Sequence, residues 1–108
     1  MVPQEQPKVP VLFAAGRFAN DGSVISSHNL TSDHYSTGRY NLFFEKQPKD
    51  AKYLVNVFTH GDADASTCSS EYDYCLNQER FQVTINQADD AKTPMNREFS
   101  VFVYVMPE

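Results

Sequence analysis

The sequence predicts an all-β chain, a single-domain antiparallel β-sandwich of jelly-roll-like type. Three observations predict it. Tyr40, Leu42 and Phe44 share one face of residues 38–45, and Tyr53, Val55 and Val57 share one face of residues 51–60. This period of two is the mark of a half-buried strand. No long segment carries the 3.6-residue period of a helix, and turn residues separate the apolar stretches. Six tyrosines and eight phenylalanines make up 13% of the 108 residues, which suits packing on a pleated surface.

The elements follow in order. Residues 1–10 hold Pro3, Pro7 and Pro10 and cannot form a helix or a central strand. They are expected to be an extended arm that either frays or docks on a partner. Residues 11–18 form a first strand, in which Gly16 signals a bulge or a close backbone approach. Asn20-Asp21-Gly22-Ser23 is a turn, with Gly22 free to take positive φ. Residues 24–30 make a second strand. The polar residues 31–37 lead on to Gly38, with brief pairing expected around His34 and Tyr35.

The two alternating strands come next, joined by Lys46-Gln47-Pro48-Lys49-Asp50, where Pro48 cannot serve a ladder. Residues 61–75 form a long excursion carrying Asp62, Asp64, Glu71 and Asp73 without a base. Connections of that length are commonly functional or mobile. Alternation resumes at residues 80–85, with Phe81, Val83 and Ile85 inward, and residues 86–95 read as turn-rich. In the final strand, 98–106, Phe99, Val101, Val103 and Val105 line one face, and Phe102, Tyr104 and Met106 line the other. Apolar residues on both faces require cover on both sides. One face meets the core, and a second copy of the chain is the simplest cover for the other.

Charge narrows the function. The net charge is −5, and Glu45 and Asp50 dilute the cluster of Lys46, Lys49 and Lys52, so the basic stripe that nucleic-acid binding needs is missing. No apolar run approaches the roughly 20 residues of a membrane helix. The polar, Pro-rich N-terminus lacks the layout of a secretory signal, so the chain is expected either to be made and kept in the cytoplasm or to leave the cell by lysis or another route. The sequon Asn29-Leu30-Thr31 is then a chance match.

Signals for chemistry are sparse. His28, His34 and His60 read as surface or edge residues, and neither cysteine has a histidine at zinc-ligand spacing. No metal or other cofactor is expected. Cys68 and Cys75 either close a local disulfide, which would add about 2 kcal/mol, or remain free thiols. Asp62 and Asp64 have the D-x-D spacing with which calcium loops begin, but the later Gly and Glu of such a loop are missing. Their ordinary reading is a solvated acidic loop. Tyr72 and Tyr74 flank Asp73, and exposed rings beside carboxylates can stack on sugars. With Asp62 and Asp64 they are the candidate ligand-binding residues; the plainer reading tucks one ring into the core. No G-x-S-x-G elbow and no Gly-rich phosphate loop occurs, so no catalytic residue is assigned and the chain is expected not to be an enzyme.

The order of motifs resembles a known class. It comprises the strand with Gly16, the turn Asn20-Asp21-Gly22-Ser23-Val24, then Ser27-His28-Asn29-Leu30-Thr31, Thr37-Gly38-Arg39-Tyr40-Asn41-Leu42-Phe43-Phe44, Asp50-Ala51-Lys52-Tyr53-Leu54-Val55-Asn56-Val57, and the closing Phe99-Ser100-Val101-Phe102-Val103. Together these resemble small β-rich domains of bacteriophage tail fibres and related virion proteins. The likeness spans most of residues 11–105 and marks the scaffold, so it carries over no site residue.

The resemblance implies a non-enzymatic homotrimeric module on a phage particle. Residues 1–10 would dock on other virion proteins, and the 61–75 excursion would face the host surface, including its glycans. A capsid decoration protein that cements the head is the alternative, and a free carbohydrate-binding module using Tyr72 and Tyr74 is a further one.

Overall fold

The computed structural model describes residues 9–61, 63–67 and 76–107. Among them every regular element is a strand, and no helix is long and apolar enough to cross a membrane. The strands are β1 (Val11–Phe18), β2 (Val24–His28), β3 (Leu30–Ser36), β4 (Arg39–Phe44), β5 (Leu54–Thr59), β6 (Ala63–Thr67), β7 (Arg80–Gln87), β8 (Asp90–Pro94) and β9 (Phe99–Val105).

They form two antiparallel sheets packed face to face. Sheet A has the order β2-β1-β9-β5 and sheet B the order β3-β4-β7-β6, with β8 also paired to β7. The all-β, two-sheet, sandwich-like expectation therefore holds. A jelly-roll strand order would require successive strands to alternate between sheets. Here β1–β2, β3–β4 and β7–β8 stay within one sheet, so hairpins replace that wrapping.

Two strands turn corners between the sheets. Between β2 and β3 the corner is Asn29, at φ 61°, one of the few side chains at ease in the left-handed region. Its amide fixes the bend: Asn29 Nδ2 donates to Lys46 O at 3.0 Å, and Lys46 N donates to Asn29 Oδ1 at 2.6 Å. On the other side β5 runs into β6 through Gly61, where Thr59 Oγ1 donates to Ala63 O at 2.8 Å. Sequence alternation continued through residue 30, but Leu30 is fully buried and opens β3 opposite Phe44.

Hydrogen-bond pairing also recruits segments expected to be loops. The polar run after residue 30 is the full strand β3, held along β4 from Leu30–Phe44 to Ser36–Arg39. Likewise β6 lies on β7 and β8 folds back on it. These strands are polar because backbone pairing, not side-chain burial, holds them in place. At Gly16 the close approach is by a side chain rather than by backbone: a Cβ there would lie 2.5 Å from the Phe18 ring. The turn has Gly22 at φ 87°, and Asp21 Oδ1 accepts from Ser23 Oγ and N at 2.6 and 2.9 Å. Those two bonds hold the Asp21 carboxyl below its ordinary pKa.

The core is the interface between the sheets. Two aromatic clusters bracket an aliphatic middle of Leu30, Leu42, Val83, Val101 and Val103. In one, Phe99 stacks on Phe18 at 5.4 Å and meets Tyr40 at 4.7 Å. In the other, Phe44 contacts Phe13, Tyr53 and Phe81 at 5.0–5.7 Å. Each buried tyrosine places its hydroxyl on a main-chain carbonyl. Tyr40 donates to Asn20 O at 2.7 Å, and Tyr53 to Asn77 O at 2.7 Å, with Arg80 O at 3.0 Å. Burial pushes both phenols above their ordinary pKa.

Candidate functional site

The surface that sets this domain apart is the outer face of sheet A. Alternation along β9 sends Phe99, Val101 and Val103 into the core and Ser100, Phe102 and Tyr104 outward. The flanking strands match this register. Leu12 and Leu54 lie opposite Tyr104, Ala15 and Asn56 opposite Phe102, and Arg17 and Phe58 opposite Ser100. Three cross-strand rows thus cover the outer face of β1, β9 and β5.

Much of it is apolar and open to water. Phe58 is 56% exposed, Leu54 54% and Met106 50%, with Leu12 and Phe102 also exposed. The Phe58 and Phe102 rings meet edge to face at 6.1 Å. Among the described residues only Pro10 borders this face, beside Leu54, Asn56 and Tyr104 at one end, so most of the cover that the two-faced final strand called for is not supplied by them.

At the Ser100 end the face becomes polar. Glu98 Oε2 accepts from Arg17 Nε and Nη2 at 2.9 and 2.5 Å. His60 lies beside it, with Nδ1 3.5 Å from Glu98 Oε2 and Nε2 2.8 Å from Ser100 Oγ. A shallow groove of about 310 Å³ opens next to this cluster, between Arg17, Ser26, His28, Ser100 and Phe102. The order Ser100–His60–Glu98 has the connectivity of a nucleophile, a base and an orienting acid. Sequence reading missed it because the three residues come from two strand ends and share no local motif. Only the β5–β9 register, continued by His60 N donating to Glu98 O at 2.9 Å, brings them together.

The carboxylate is held by a guanidinium, which leaves the imidazole contact the longer one. Ser100 lies inside the central strand β9, paired on both sides, so its backbone serves the ladder.

The sequence-predicted residues fall elsewhere. Asp64 is exposed in β6 opposite Asn86, on the other sheet. Asp62, Cys68, Tyr72, Tyr74 and Cys75 lie outside the described residues, as does most of the 1–10 arm. His34 stacks on Tyr40 at 4.5 Å, its Nε2 2.9 Å from Asn96 Oδ1. His28 borders the groove. Among the described residues no three of His, Cys, Asp and Glu converge as metal ligands. Comparison with known proteins finds no matching family model, no matching curated protein and no matching solved structure.

Proposed function

We propose that this chain is a non-enzymatic structural unit that works by self-association, as a tail-fibre or tail-tip type module of a bacteriophage virion. The observation that carries the self-association is the open apolar face of sheet A, with Leu12, Leu54, Phe58, Phe102 and Met106 on one folded domain. Contiguous exposed apolar surface marks an interaction site on a folded protein. The virion assignment rests on the motif order through residues 11–105, which resembles phage fibre domains. Three copies are the expected number, and residues 1–10 are the expected link to neighbouring virion proteins.

Light scattering and native mass measurement at micromolar concentration test the first part. An oligomer is expected, and a monomer overturns it. Locating the chain in intact particles by electron microscopy tests the second. Density at the tail agrees with the proposal, density on the head shell favours a decoration protein, and absence from particles overturns both.

The Ser100–His60–Glu98 arrangement motivates one competing reading, a serine hydrolase. Labelling of Ser100 by a fluorophosphonate, lost in His60→Ala, would establish that reading and overturn the non-enzymatic one.

A further inference from the structure

Among the described residues, sheet A ends in an edge strand that lacks the usual protection. Natural edges avoid pairing with other chains through charge, proline, bulges or covering segments. Strand β5 reads Leu54-Val55-Asn56-Val57-Phe58-Thr59, with no charged residue and no proline. Its pairing with β9 runs from Leu54–Tyr104 to Thr59–Phe99 without a register shift, so no bulge bends it away. The two edges of sheet B differ: β3 carries Asp33 and His34 and a register shift, and β6 carries Asp64. At the far edge of sheet A, β2 is shifted in register against β1 and is largely polar, ending Ser26-Ser27-His28.

We propose that β5 pairs antiparallel with β5 of a second copy, about a two-fold axis at Asn56, joining two A sheets edge to edge. The inference rests on the self-association proposed above and names one contact; because a two-fold contact joins copies in pairs, it predicts an even number of copies in place of the three expected above. A two-fold contact must be self-complementary, and this segment meets that condition at each position. With Asn56 opposite the partner's Asn56, two side-chain amides face one another and can exchange hydrogen bonds. Leu54 then lies opposite the partner's Phe58, and this apolar pair forms twice. On the inner face Val55 lies opposite the partner's Val57. The same register sets Lys52 opposite the partner's His60, whose Nδ1 lies 3.5 Å from the Glu98 carboxylate. A cation at one end of the segment thus meets the acid-bearing other end. The apolar band, with Phe102 beside Phe58, would continue across the seam. A chain of net charge −5 would otherwise be repelled by its copy, and this edge strand carries no charged residue.

The test is Asn56→Cys in the full chain under mild oxidation, with the disulfides mapped by peptide mass. Residues directly opposite in antiparallel strands have Cα atoms roughly 4.5–5.5 Å apart, within disulfide reach. Outer faces stacked on one another sit about 10 Å apart, beyond that reach. The expected result is a 56-to-56 intermolecular disulfide in most of the protein. Ser100→Cys, on the same face but one strand inward, should give no 100-to-100 link. Asn56→Lys should halve the native mass by placing two ammonium groups at the axis. Asn56 is exposed, so the thermal transitions of these variants report whether the fold is intact. An oligomer without the 56-to-56 link, a bare trimer included, overturns the edge pairing and leaves self-association standing. A folded monomer overturns both.

Discussion

Gly38→Ala is expected to cost this domain a large share of its stability. Gly38 sits at φ 69° where β3 turns into β4, and its backbone is shared among three elements. Gly38 N donates to Asn96 Oδ1 at 2.8 Å, and Gly38 O accepts from Ile85 N at 2.8 Å. Met95 N in turn donates to Ile85 O at 3.1 Å. A Cβ on residue 38 would lie 2.3 Å from Ile85 O and 2.9 Å from Met95 N. Carbon and carbonyl oxygen ordinarily approach to about 3.3 Å. The segments must therefore part by about 1 Å, and the obstacle is backbone that cannot rotate away. Losing these three bonds costs about 1 kcal/mol each, and the left-handed backbone adds roughly 1–2 kcal/mol for a residue with a Cβ. The total is roughly 4–5 kcal/mol, a fall of about 15–25 °C in midpoint for a domain of this size.

Urea unfolding followed by circular dichroism measures that loss. Gly38→Asn separates the two contributions, since asparagine tolerates positive φ but still carries a Cβ. It should recover only the smaller, conformational part. A loss below about 1 kcal/mol for Gly38→Ala, or near-complete recovery by Gly38→Asn, would refute the steric reasoning.

Three further outcomes are expected. Tyr40 and Tyr53 have raised pKa values through burial, so the fold binds their protons more tightly than the unfolded chain does. That stabilisation is whole below the unfolded value near pH 10 and is lost as pH rises above it. Spectrophotometric titration should show these two phenols ionising at higher pH in the folded chain than in the unfolded one; ordinary titration of all six tyrosines in a folded chain would count against it. Asn29→Ala removes both amide bonds to Lys46 and puts alanine at positive φ, and should lower unfolding free energy by about 2–3 kcal/mol. Calorimetry checks it, and a neutral result would mean that the corner does not depend on that side chain. Asn96→Ala strands the buried Gly38 N–H and takes the 2.9 Å partner from His34, a loss of about 1–3 kcal/mol in chemical denaturation; an unchanged midpoint would show that another acceptor replaces it.

The alternation of Tyr40, Leu42 and Phe44 and of Phe81, Val83 and Ile85 determined from sequence alone which residues form the core there, because a period of two admits one buried face. For β9, apolar on both faces, the structure decided that Phe99, Val101 and Val103 point inward. The two-faced composition of β9 likewise announced an apolar outer surface, since Phe102 and Tyr104 fall on the side of the strand away from the core. Strands β6 and β8 were not legible, and β3 only as brief pairing around His34 and Tyr35, because main-chain pairing holds polar residues that carry no hydrophobic signal. Nor was the jelly-roll order separable from hairpins and corners: alternation records which side of a strand is buried and is silent about its neighbour. The meeting of Arg17, His60, Glu98 and Ser100, and the emergence of β5 as a bare edge, were decided by tertiary structure alone. Both depend on cross-strand register, a relation between segments 81 and about 40 residues apart in the chain, and pairing over such distances is fixed only when the whole sheet closes.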